Sequence, residues 1–205
     1  LLNDNLVKSA ILPRVSSELE RDVIIQGDTT IEGAVYARYF EIQKGKIEVH
    51  GAVFTQIEMH INTDAKGSAT FHKSVGSADS IVSLAPGFRV IFKADVNAKQ
   101  VKLRNAFVAG SIFADEIILE DCIVIGGVFA SLNLEINNSI IGTFNSPLAR
   151  VSKTNYLLLP SAFTVEKINV IPGTEMYNLS LADLGSLYRG KAQSKNSGKI
   201  KMSFE

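Results

Sequence analysis

Apolar and polar side chains alternate over short stretches of this chain, and the stretches recur at a near-constant spacing. Residues 99–114 (KQVKLRNAFVAGSIFA), 115–130 (DEIILEDCIVIGGVFA) and 131–146 (SLNLEINNSIIGTFNS) align as three lines of sixteen. Their columns keep their chemistry: Gly110, Gly126 and Gly142; Val108, Val124 and Ile140; Ile112, Val128 and Phe144; Ala114, Ala130 and Ser146; Asn105, Asp121 and Asn137. Within a line, inward positions such as Val108, Gly110 and Ile112 follow the period of two of a strand with one buried face. The same phrase stands upstream in residues 31–37 (IEGAVYA) and, eighteen residues later, in 49–55 (VHGAVFT). Between about 56 and 98 the glycine column is lost, although residues 69–72 and 95–98 resemble line endings.

A unit of sixteen to eighteen residues cannot bury its own apolar face, so neighbouring units must stack. The pattern predicts an all-β chain forming a single-stranded parallel β-helix, a solenoid of roughly seven turns over residues 21–146. At about 4.8 Å per layer the stack would be on the order of 30 Å long. The glycine column suits a bend or a close backbone approach. The Asn/Asp/Asn column suits a corner with a left-handed residue. In the third line, Leu134 and Ile136 must face inward instead of Asn133 and Glu135, which requires one extra residue before that strand and one fewer after it. Two opposite charges recur at the sixteen-residue distance, Lys99 with Asp115 and Arg104 with Glu120. Stacking sets them face to face, a register device contributing only about 0.2 to 1 kcal/mol per pair.

The ends lack the phrase. Residues 1–20 are mixed and partly helical in pattern, and are expected to form an N-terminal arm or cap. From Pro147 the columns are expected to stop, leaving a 147–190 segment with extra strands near 156–159 and 165–171. A short capping helix should open at Ser180 with Asp183 in a capping-box pattern, bury Leu184, Leu187 and Tyr188, and stop at Gly190. Residues 191–205 carry Lys191, Lys195, Lys199 and Lys201 against Glu205, a basic tail that is either solvated or in contact with a membrane surface or partner.

Composition narrows the function. With 205 residues, 46% of them apolar, the chain supports one principal core. The balance of 21 basic and 21 acidic residues supplies no field toward nucleic acid. A single cysteine, Cys122, precludes an intrachain disulfide and suits a reducing cytoplasm. No apolar run approaches the ~18 to 20 residues of a spanning helix, and residues 1–10, with Asp4 and Lys8 among their apolar side chains, do not read as a secretory leader. His50, His60 and His72 invite a zinc centre of the kind found on hexapeptide β-helices. Spacings of ten and twelve, however, do not set all three in one column of a sixteen- or eighteen-residue repeat. Cys122 shares a column with Ala106 and Asn138 and has no evident histidine to activate it. Asp115, Glu116, Glu120 and Asp121 face a basic turn, a structural explanation that displaces a glycosidase pair. No catalytic residue, cofactor or metal is therefore expected.

The Gly-x-Val/Ile-x-Ala phrase in residues 33–37, 51–55, 110–114 and 126–130 resembles the repeat of the bactofilins, polymer-forming cytoskeletal proteins. The resemblance implies a right-handed β-helix that assembles end to end into nucleotide-independent filaments. It also implies a cytoplasmic location, often at the inner membrane surface, and a scaffold role for cell-envelope proteins. Val23, Ile25, Ile140 and Phe144 are then the candidate end contacts. A capped β-helix that binds a partner is the alternative, and an enzyme acting on carbohydrate or an acyl donor is the third reading.

Overall fold

Backbone amides in an isolated sixteen-residue unit have no partners within the unit, and the fold answers this by pairing each unit with the next. The computed structural model describes residues 1–2, 5–11, 22–61, 66–159 and 163–179. Among these, about 70% of the chain is strand, no helix is present, and the parallel strands stack as a β-solenoid of about eight turns. Three faces run the length of the stack. On the first, Asp22, Tyr39, Glu58, Ser80, Gln100, Glu116, Asn133, Leu148 and Lys167 are successive register partners. Thr29, Ile47, Ala69, Val90 and Ala106 begin the second. Val35, Val53, Val75, Val96, Ile112, Val128 and Phe144 form the third.

Turn length is not constant. Along the first face the step is 22 residues from Glu58 to Ser80 and 15 from Asn133 to Leu148, which is why the repeat could not be followed through residues 56–98. The extra and missing residues sit at corners. The register slips between Ala114 and Glu116 and returns between Val124 and Gly127, so Ile117 pairs with Leu134 and Leu119 with Ile136, as the inward pattern demands. This slip corrects three columns. Val124 is followed by Ile141, which is buried, while Ile140 pairs with Ile123 and points outward, half-buried. The left-handed corner is Asn105, Asp121, Asn138 and Lys153, with φ of 53°, 54°, 48° and 58°, so Asn138 takes the place expected of Asn137. Below it, the column of Cys122 continues through Ser139, whose hydroxyl accepts the Cys122 amide hydrogen at 3.1 Å.

The inward columns make one continuous core, including Phe71 stacked on Phe92 at 5.2 Å and Phe144 on Phe163 at 5.3 Å. Two of its polar pairs are bonded between layers. Thr55 donates to the Ser77 hydroxyl at 2.8 Å, and the Asn155 carboxamide accepts the Ser139 amide hydrogen at 2.9 Å while donating to the Ser152 carbonyl at 2.8 Å. A buried carboxamide without such partners would cost roughly 1 to 3 kcal/mol.

The stack extends past the repeat phrase at both ends, and the strands expected near 156–159 and 165–171 are Thr154–Leu157 and Thr164–Val170. Asn5–Val7 is a strand paired with Thr29–Ile31, and Leu2 and Ile11 form isolated bridges to Ile25 and Val35, so the described residues at this end are extended and not helical. The strand Ile140–Ser152 runs through Pro147, and the layer continues in Thr154–Leu157, Thr164–Val170 and Glu175–Asn178. The stack is thus not interrupted at residue 147. The helix expected from Ser180 and the tail 191–205 lie outside the described residues.

The glycine column is explained by close approach, since Gly126 and its stacked partners have no positive φ. A Cβ on Gly126 would stand 2.5 Å from the Gly110 carbonyl oxygen, and one on Gly142 would stand 2.3 Å from that of Gly126. Gly126→Ala is therefore expected to destabilise the fold by about 1 to 3 kcal/mol in urea unfolding. Gly87→Ala, where nothing lies within 4 Å of the added methyl, should be near neutral.

Candidate functional site

Among the described residues, every layer between the ends is paired on both sides, and the terminal layers are those with one neighbouring layer. The last described layer shows this most directly. Phe144, Ser146, Ala149 and Val151 are buried, and the residues stacked above them, Phe163, Val165, Ile168 and Val170, are half-buried or exposed. Among the described residues, the strand Thr164–Val170 pairs with Ile140–Ser152 and Glu175–Asn178 pairs with Thr154–Leu157, with no further strand beyond either. A period-two apolar face with a parallel edge that no other described strand pairs is the surface that a further layer would cover.

The residues singled out from sequence fall as follows. Val23 and Ile25 lie in the first full layer and are buried, with Leu2 bridged over Ile25. Phe144 is buried under Phe163, one layer inside the terminal surface. Its assignment to a junction is corrected because a full layer follows it. Ile140 lies on the outer surface of the second face, stacked between Ile123 and Tyr156. The end surface instead consists of Val165, Ile168 and Val170, residues whose place was hidden by the uneven 19-residue step from Leu148 to Lys167.

The two charge relations lie on adjacent layers. Arg104 is in register with Glu120, 3.6 Å from its carboxylate, and also 3.8 Å from that of Asp121, while Lys153 approaches Glu120 at 3.8 Å. Lys99 accepts the Asp115 amide hydrogen on its carbonyl at 2.9 Å, but the Asp115 carboxylate is taken by the Ser131 hydroxyl at 2.5 Å. Lys99 and Asp115 thus mark the register through the backbone. Elsewhere Asp22 receives the Arg38 guanidinium through two hydrogen bonds, at 2.8 and 2.7 Å, and these hold its carboxyl below the usual range.

As expected from their spacing, the three histidines do not share one column, but two of them do. His50 and His72 occupy the same position on successive layers, 22 residues apart, with rings stacked at 4.3 Å. His60 lies on the first face beside Glu58. The signal was present in the parallel between residues 49–53 (VHGAV) and 71–75 (FHKSV), which share a histidine after a buried residue. It was masked by the long turn between them. No family model, curated protein or solved structure matches this chain.

Cys122 is buried in the core, with its sulfur 3.3 Å from the Leu103 carbonyl and 3.2 Å from that of Glu120. Burial pushes the thiol up to about 12, so it is protonated and inert near neutrality. In native buffer at pH 8 a disulfide reagent such as Ellman's should leave it unmodified for as long as the fold persists. In denaturant the same reagent should titrate one thiol per chain.

Proposed function

We propose that this chain is a non-enzymatic scaffold whose β-solenoid joins end to end with further copies into nucleotide-independent filaments, as its bactofilin-like repeat implies. The observation that carries the reading is the loss of burial at the terminal layer, where Val165, Ile168 and Val170 stack over the buried Ser146, Ala149 and Val151. A parallel edge gives an incoming copy main-chain hydrogen bonds, and the apolar face supplies the hydrophobic term. Repeated contact of one end with the opposite end is heterologous, and a heterologous contact that does not close propagates as a filament. The first partner is therefore the chain itself. The same reading carries a cytoplasmic location, with cell-envelope proteins or the inner membrane surface as further partners and no nucleic acid. The balanced charge and the single cysteine support it.

Sedimentation and electron microscopy of two variants test the proposal. Ile168→Asp sets a charge on the joining surface and should abolish assembly with little change in melting temperature, because Ile168 is only half-buried in the single chain. Phe144→Asp sets the charge one layer inside and should lower the melting temperature first. If the wild-type chain stays monomeric at high concentration across a salt series, the filament reading fails and a capped, partner-binding solenoid takes its place.

A further inference from the structure

A cluster of titratable side chains lies on the outer surface of the second face, outside the apolar core. The position that follows the last buried residue of each second-face strand is stacked in a single outward column. His50 donates its amide hydrogen to the Ile31 carbonyl, His72 to Val49 and Lys93 to Phe71, each at 2.8 to 2.9 Å. Glu48, two residues before His50, projects from the same strand, Lys46–Val49. Its carboxylate lies 2.8 Å from His72 Nε2 and 3.9 Å from His50 Nε2.

We infer that Glu48, His50 and His72 form a binding site for a divalent transition-metal cation of the Zn²⁺ class, pinning two adjacent layers of the solenoid. One ligand atom from each of the three residues lies within 4.8 Å of the other two. The separations of 2.8 and 3.9 Å bracket the ~3.3 Å edge of a tetrahedron with 2.0 Å bonds, so small side-chain rotations complete the geometry. The donor set of two imidazoles and one carboxylate suits zinc over calcium or magnesium, which prefer all-oxygen shells. It leaves a fourth position for water or for a group from another molecule. All three side chains are half-buried, so a cation can reach them from solvent.

The backbone explains why the site is well placed. Glu48 lies within the strand Lys46–Val49, and His50 and His72 directly follow Lys46–Val49 and Gly67–Phe71, where their own amides continue the ladder. They also bracket one of the longest turns, Glu48 and His72 being 24 positions apart in sequence. A cation there would tie together two layers that the irregular stretch separates in sequence. Lys93, on the layer beyond, competes for the same space: its ammonium lies 3.3 Å from His72 Nδ1. That contact must yield when His72 Nε2 takes a metal, because Nδ1 then carries the proton and donates.

The test is calorimetric titration of the chelator-treated full chain with ZnCl₂, followed by thermal melts. One cation per chain should bind, with no comparable heat from CaCl₂ or MgCl₂. At about 100-fold excess over Kd the melting temperature should rise by roughly 5 to 10 °C. His50→Gln and His72→Gln should each weaken binding by about 10-fold or more, His60→Gln should not change it, and Lys93→Met should tighten it. Because these side chains are outside the core, circular dichroism should report folded variants. The visible bands of bound Co²⁺, lost in His50→Gln, give a readout independent of stability. Absence of zinc binding overturns the inference. Binding that survives in both histidine variants, depends on His60, or is weakened by Lys93→Met overturns it as well. None of these readouts depends on filament formation.

Discussion

The parallel backbone ladder between successive layers is the interaction on which everything else in this molecule rests. It fixes the layer spacing at about 4.8 Å, and that spacing brings like residues into contact along each column. A glycine can then lie against a glycine carbonyl, an asparagine can bond an aspartate, and a phenylalanine can stack on a phenylalanine. Gly126 on Gly110, Asn138 on Asp121 at 2.7 Å and Phe113 on Phe129 at 5.0 Å are three instances of one rule. Each contact is small alone. Together they make register a cooperative property, because a slip in one layer misplaces every column above it.

The same ladder explains how the solenoid tolerates steps from 15 to 22 residues on the first face. Only the paired strands have to match, so added residues leave at corners and the inward alternation resumes. The left-handed corner is less forgiving. Asn105, Asp121 and Asn138 are side chains that enter this region readily, whereas Lys153 is not, and its place there shows the column imposing its geometry on the sequence.

Much of this was legible from the chain. The solenoid architecture, the inward columns of residues 99–146, the slip at Leu134 and Ile136, and the pairing of Arg104 with Glu120 follow from period and charge alone. What was hidden has one physical origin. Sequence comparison assumes constant spacing, whereas the structure conserves spatial layer height. Ile140 was therefore assigned to the core in place of Ile141, Asn137 to the corner in place of Asn138, and Phe144 to the end of the stack although Phe163 covers it. The pairing of His50 with His72 was missed for the same reason, across the longest step. Strands beyond Pro147 were foreseen, but the passage of Ile140–Ser152 through Pro147 itself was not, because proline removes a donor that the ladder ordinarily uses.

Near-uniform layers also set the route by which the molecule is made. Each layer contacts only its neighbours, and the chain closes a loop of similar length at every step, so the entropic cost of adding a layer hardly changes along the stack. Folding can begin in any well-formed pair of turns and proceed by accretion in both directions. Among the described residues, the last accretion leaves an edge of the same form as the one on which it grew. At that edge, a layer arriving from the same chain and one arriving from another differ only in tethering, that is, in effective concentration.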